Sequence, residues 1–159
     1  MNRALLMELL KRMKSNVLEG KEIGDLKIGS ILALGHQLEA IFYYLGHELG
    51  SLFEVPEVSD LMNIPDELAK VIKKFNLGDV EITERSKEHA SFRLFGCRSC
   101  KQLIPLNIKA EESFCSFEAG LLAAFVEKMS KSHCFAQELN CSLQTNKPYC
   151  EFMIVYQKD

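Results

Sequence analysis

Three features of the chain predict an α+β fold, an antiparallel sheet of about four strands covered by helices, with an N-terminal helical segment. Apolar residues recur at helical spacing in the first half and again over Phe117–Met129. They alternate with polar residues over 79–94 and 133–157, the period of a half-buried strand. Short turns join the alternating stretches in pairs, as antiparallel hairpins require. Helices early and in the middle, with paired strands between and after them, is the element order of an α+β domain.

Taken in order, residues 3–18 place Leu6, Leu9, Leu10, Met13 and Val17 on one stripe, with Lys11, Lys14 and Ser15 outside it. This pattern predicts a surface helix with one apolar face. Gly20, Gly24 and Gly29 follow and leave residues 1–20 as a helical appendage that packs on the domain or on a second copy of the chain. Ser30 to Phe53 is apolar on several faces, through Ile31, Leu34, Leu38, Ile41, Leu45, Leu49 and Leu52, widened by Phe42, Tyr43 and Tyr44. A helix of this kind, with Ser30 as N-cap, is expected to be buried on most sides. Its glycines, Gly35, Gly46 and Gly50, each cost about 1 kcal/mol relative to alanine, which close packing would offset. His36 and His47 read as ordinary helix histidines.

Val55–Ile64 reads as a loop. Pro65, Asp66 and Glu67 open a short helix, because proline suits the first turn and acids suit the positive end of the dipole. Leu68, Val71, Ile72 and Phe75 form its stripe, and Asn76 and Gly78 end it. Val80 and Ile82 alternate with Asp79, Glu81 and Thr83, residues 85–88 turn, and Ala90, Phe92 and Leu94 share one face of the next strand. Residues 101–112 carry no firm pattern. The next helix has Phe117, Leu121, Ala124, Phe125 and Met129 on one face and Glu118, Glu127 and Lys128 on another. His133–Asn140 and Tyr149–Gln157 are strands joined through Asn146, Lys147 and Pro148.

A chain of 159 residues, 47% hydrophobic and 26% charged, has the composition of one globular domain spanning 1–159, and not of a disordered segment. A net charge of -3 and a pI near 5.9 lack the basic excess that phosphate contacts need, so direct nucleic-acid binding is not expected. The longest apolar run, Ala119–Val126 interrupted by Gly120, falls far short of the ~20 residues of a membrane helix. Arg3, Glu8, Lys11 and Arg12 break the apolar middle that a signal peptide requires. The expected location is the cytoplasm, where the six cysteines stay reduced and serve as metal ligands, redox groups or core residues.

Three cysteines and a glutamate bracket the C-terminal part of the chain. Cys115 precedes the 117–129 helix, whose positive end favours a thiolate. Glu138 and Cys141 lie at the end of one strand and Cys150 at the start of the strand that returns beside it. The hairpin brings Cys141 and Cys150 together at its mouth. Glu138 joins them only through a bend or bulge, because positions i and i+3 on a flat strand face opposite sides. Three thiolates and one carboxylate make a four-coordinate set that suits zinc, closed and therefore structural. Spacing alone leaves a second reading open, in which the cysteines are small buried apolar side chains. Cys97-Arg-Ser-Cys100 has the spacing of half a zinc ribbon or of a redox pair, but without a second Cys-x-x-Cys it reads as packing near the core. Cys134 reads as core and His133 as exposed.

Four segments carry a resemblance: Phe92-Arg-Leu-Phe-Gly-Cys-Arg-Ser-Cys100, Cys115-Ser-Phe-Glu-Ala-Gly-Leu-Leu-Ala-Ala-Phe125, Glu138-Leu-Asn-Cys141 and Pro148-Tyr-Cys150-Glu-Phe152. Through them residues 90–156 resemble the 4-vinyl reductase domain family. That family occurs in bacteriochlorophyll-pathway proteins and archaeal stand-alone proteins, forms the sensor domain of aromatic-responsive transcription activators, and is related in fold to small subunits of the TRAPP trafficking complex. In sensor-type members the equivalent cysteines and glutamate hold zinc, so the resemblance implies zinc on Cys115, Glu138, Cys141 and Cys150. One departure is that Asn146 and Lys147 stand where the family places a glycine before the proline. Asn146 can supply the left-handed conformation instead.

Two functional classes follow, with a scaffold or interaction subunit as a third. The first is a zinc-stapled homodimeric module that binds a small hydrophobic or aromatic ligand between its helices and sheet, with Phe42, Tyr43, Tyr44, Phe92 and Phe125 as lining candidates. The second is a vinyl reductase or accessory protein of tetrapyrrole metabolism, which the family name implies. No G-x-G-x-x-G fingerprint or acid/base pair supports the enzyme, and no catalytic residue is assigned.

Overall fold

Alternating residues fold into two hairpins that merge into one antiparallel sheet in the computed structural model, which describes residues 11, 14–19, 27, 30, 31, 33–35 and 38–157. The elements are α1 (Leu38–Ser51), α2 (Ile64–Lys74), β1 (Asp79–Arg85), β2 (His89–Phe95), α3 (Ser116–Ser130), β3 (Cys134–Asn140), the single-turn α4 (Ser142–Thr145) and β4 (Tyr149–Tyr156). The strand order is β1-β2-β4-β3, so β4 lies between β2 and β3, and Leu94 pairs with Cys150. Ala90, Phe92 and Leu94 of β2 and Cys150, Phe152 and Ile154 of β4 point into the core. Phe92 stacks on its register partner Phe152 with centroids 5.9 Å apart.

The turns follow from local chemistry. Ser86 Oγ accepts the N–H groups of Glu88 and His89 at 3.1 and 2.9 Å and closes the first hairpin. Asn146 closes the second in the left-handed conformation, at φ 60°. The loop before α2 holds a 3-10 turn at Leu61–Asn63, capped by Asp60. Pro65 lies in the first turn of α2 with Asp66 and Glu67, and Lys73 and Lys74 lie in its last. Residues 101–112, without a pattern in sequence, include a 3-10 turn at Ile104–Leu106.

The helix expected over Ser30–Phe53 is shorter. Residues 30, 31, 33 and 34 are helical, Gly35 then takes φ 89°, a conformation open to glycine at little cost, and α1 begins at Leu38. Nor is α1 buried on most sides, since Ile41 and Tyr44 are 53% and 55% exposed. The helix buried nearly all round is α3, with ten of its residues from Phe117 to Val126 in the interior. It packs against both α1 and the sheet, so each of its faces needs apolar residues. The expected reason for glycine holds at Gly46 and Gly50. A Cβ at Gly46 would stand 2.0 Å from the Phe117 carbonyl oxygen, and one at Gly50 would stand 2.7 Å from Ala124 Cβ. Of the N-terminal stripe, Val17 is buried and neighbouring Lys14 Nζ donates to the Leu52 carbonyl at 2.8 Å. Leu6, Leu9, Leu10, Met13 and His36 lie outside the described residues.

Candidate metal centre

The start of α3, the end of β2 and the mouth of the β3–β4 hairpin converge on one buried point, where five of the six cysteines meet. Cys115 is the N-cap residue of α3. Its sulfur lies 3.6 Å from that of Cys150, 3.8 Å from Cys141 and 3.1 Å from Cys97. Glu138 reaches the same point because β3 bulges between Glu138 and Asn140, the irregularity that the sequence demanded. Ligand atoms of Cys115, Glu138, Cys141 and Cys150 all lie within 4.8 Å of one another. The sulfurs of Cys97, Cys100, Cys115 and Cys150 meet the same condition. The expectation that Cys97 and Cys100 pack near the core holds, at 2% and 1% exposure, but they do so inside the thiol cluster.

The donor set fits a metal ion. Glu138 Oε2 accepts the N–H groups of Phe114 and Cys115 at 2.6 and 2.8 Å, while its Oε1 is buried without a hydrogen-bond partner. A buried orphan carboxylate oxygen is costly, and a cation would satisfy it. Burial, followed by the neighbouring Cys150 charge, pushes the Glu138 carboxyl up to about 7. Burial likewise pushes the Cys97 and Cys115 thiols up. Hydrogen bonds shared with Cys100, Cys115 and Cys141 hold the Cys150 thiol down. A dication held by these residues would replace those protons and draw its ligands to their ionised forms.

The sign of the pH dependence follows. Ligands must be deprotonated, so metal binding weakens as pH falls through about 7, where the Glu138 carboxyl begins to take up a proton. Glu138→Gln keeps a carbonyl for the Phe114 and Cys115 amides and turns an NH2 toward the thiols. We expect its metal affinity to fall at least about 100-fold, the upper end for losing a mere supporting partner, as read by competition with a chromophoric chelator. Undiminished affinity would exclude Glu138 as a ligand.

Two buried charges escaped the sequence reading. Glu118, expected on a different face of its helix from the apolar stripe, is 5% exposed and accepts Ser99 N–H and Oγ–H at 2.8 and 2.7 Å, pinning the Cys97–Cys100 turn. Burial pushes its carboxyl up, against the pull of Lys27. Lys27, fully buried, donates to the Phe114 carbonyl and to Ser116 Oγ and pairs with Glu39 at 3.2 Å. The Glu in Cys-x-Phe-Glu, one turn into α3, was the available clue to the first; Lys27 sits in no periodic pattern.

The five aromatic lining candidates part company. Phe92 and Phe125 are buried in the core at 2% and 0% exposure, Phe42 is half-buried, and Tyr44 is exposed. Tyr43 lines a groove of about 430 Å³ between α1, the start of α3 and β3, together with Ala40, Ala119, Phe135 and Glu138. Its ring stacks on Phe135 at 5.7 Å and its hydroxyl accepts the Ala136 N–H at 3.3 Å. Space inside the core is about 10 Å³ beside Leu94, Phe117 and Leu121, room for about one water. His133 is exposed and Cys134 buried, as expected. No helix among the described residues is long and apolar enough to cross a membrane.

No protein-family model matches the chain. An uncharacterized protein of Methanocaldococcus jannaschii is 29% identical over 124 residues, 78% of this chain and 68% of the relative. The phenol-responsive sensory domain of the transcription activator PoxR, solved with phenol, superposes with a TM-score of 0.62 at 13% identity, covering 84% of this chain and 72% of that one. A vinyl-4-reductase family protein from Methanocaldococcus jannaschii superposes with a TM-score of 0.56 at 24% identity, covering 95% and 94%. The chain thus has the fold of the family that its sequence resembles.

Proposed function

We propose that the chain is a small-molecule-binding or sensing domain in which zinc, held by Cys115, Glu138, Cys141 and Cys150, is structural, and a small hydrophobic or aromatic ligand binds in the Tyr43 groove. The observation that carries the ligand reading is the stacked Tyr43–Phe135 pair walling a cavity that also reaches Glu138. Aromatic faces of this kind bind flat apolar molecules. The Tyr43 hydroxyl, occupied as an acceptor by Ala136, keeps its own hydrogen for a polar substituent. The shared fold of a phenol-responsive domain favours the same ligand class. Zinc joins the start of α3 to the hairpin mouth, so it holds the wall of the groove through Glu138, which lines it.

A panel of phenols, isoprenoids and fatty acids is expected to contain at least one compound that raises the melting temperature saturably. Tyr43→Ala should weaken that compound about 10-fold, the loss of one good aromatic contact, and Ala40→Trp should fill the groove and abolish binding. A panel without effect, or binding that survives Ala40→Trp, removes the groove from consideration.

The fold shared with a vinyl-4-reductase family protein keeps a second reading, and NADPH oxidation in the presence of a vinyl tetrapyrrole would favour it. A homodimer extends the first reading, since Leu34, Ile41 and Tyr44 expose 62%, 53% and 55% of their surface near or on α1. Light scattering at twice the mass of one chain is the expected result, and a monomer at working concentration removes the dimer.

A further inference from the structure

We propose that the thiol cluster is a two-metal centre: one ion on Cys115, Glu138, Cys141 and Cys150, and a second on Cys97 and Cys100, with Cys115 and Cys150 as thiolates that bridge both ions. The proposal rests on the metal reading above and gives a metal to the Cys-x-x-Cys pair, which without a second such pair reads from sequence as core packing. The two four-residue sets that meet the distance condition share Cys115 and Cys150 and nothing else, the pattern of two tetrahedra joined along an edge. Two thiolates on one tetrahedral zinc, each at about 2.3 Å, stand about 3.8 Å apart. The shared pair is at 3.6 Å and Cys100 is 3.5 Å from Cys150.

One ion leaves part of the cluster unligated whichever set it takes. On the all-cysteine set it leaves Cys141 as a buried thiol and Glu138 Oε1 without a partner. On the Glu138 set it leaves Cys97 and Cys100 as protonated thiols packed against bound thiolates. Two ions ligate all six residues.

The Cys97–Cys100 turn is built as a ligand turn. Gly96, at φ 75°, swings the chain out of β2, and Lys101 N–H donates to the Cys97 carbonyl at 2.9 Å. The Glu118 carboxylate holds Ser99 between the two cysteines, as outer partners hold metal ligands in place. A cavity of about 320 Å³ opens onto Cys97, Cys100 and Cys150 and offers the second ion a path. Five thiolates and a carboxylate outweigh two dications. The negative remainder faces the positive end of α3, while buried Lys27, bonded to the Phe114 carbonyl beside Cys115, is already paired with Glu39.

The test uses the full chain, stripped with a chelator under reducing conditions and reloaded with zinc alone. Native mass spectrometry is expected to find two zinc ions per chain, and one in the Cys97→Ser, Cys100→Ser double variant. Cys134→Ser, whose sulfur lies outside the cluster against Ser130 and Ser132, should keep two. Titration of the unmutated chain with cobalt(II) needs no variant. The first equivalent should raise thiolate-to-cobalt absorption with a paramagnetic resonance signal, and the second should quench that signal by coupling through the bridging sulfurs. A saturated chain with one ion, and a resonance signal that a second equivalent leaves intact, overturns the second position while the single-metal reading stands. A chain that takes up no metal overturns both.

Discussion

Cys115→Ser is expected to release the metal and to lower the melting temperature by at least about 10 °C. Cys115 belongs to both four-residue sets, so no arrangement of ions survives its loss. A serine hydroxyl stays protonated and replaces a thiolate at a site with no exposure to water. A ligand bound to the folded state alone stabilises it by about 4 kcal/mol at a thousand times its Kd. For a chain of this size that corresponds to roughly 10 °C. The parent treated with a chelator should move by a similar amount, and the variant should no longer respond to the chelator. A variant that melts with the parent, in a parent indifferent to chelation, would leave the cluster as core packing alone.

Gly120→Ala is expected to destabilise by about 3 kcal/mol, although alanine is the better helix former by about 1 kcal/mol. The added carbon would stand 1.9 Å from the Tyr43 carbonyl oxygen and 2.9 Å from His47 N. Both are backbone atoms of α1, which cannot swing aside as a side-chain tip does. The helices must part by about 1 Å to reach a tolerable contact, and that loosens the facing approach of Gly46 to Phe117. Because Tyr43 walls the groove, ligand affinity should fall together with stability. Thermal melts of Gly120→Ala beside the parent decide it, and an equally stable variant would refute the close α1–α3 contact.

Elements whose causes are local were legible from residues. Alternation placed Phe92 and Leu94 inside, Pro65 with Asp66 and Glu67 marked the start of α2, and Asn146 at φ 60° does the work of the missing glycine. The ligand constellation of Cys115, Glu138, Cys141 and Cys150 was legible in part for the same reason. A hairpin sets Cys141 against Cys150, and the bulge at Glu138–Asn140 was needed before it was seen. The exposure of Ile41 and Tyr44 and the burial of Glu118 were not legible, because periodicity tells which side of a helix is apolar but not how many neighbours it has. Among the described residues only α3 lies between α1 and the sheet, and that depends on how the layers stack.

Residues close together in the chain dictate the strands, their turns, the start of α2 and the thiol chemistry at the hairpin mouth, since each of these has a local cause. The tertiary structure alone decided that Cys97 and Cys100 join that chemistry. Alternation specifies two hairpins but not which edges meet. The order β1-β2-β4-β3 sets the end of β2 beside the start of β4, and Cys100 arrives 3.5 Å from Cys150 across fifty positions of chain. Had the outer edge of β3 met β2 instead, the same residues would have built the same strands and left Cys97 and Cys100 apart from the cluster.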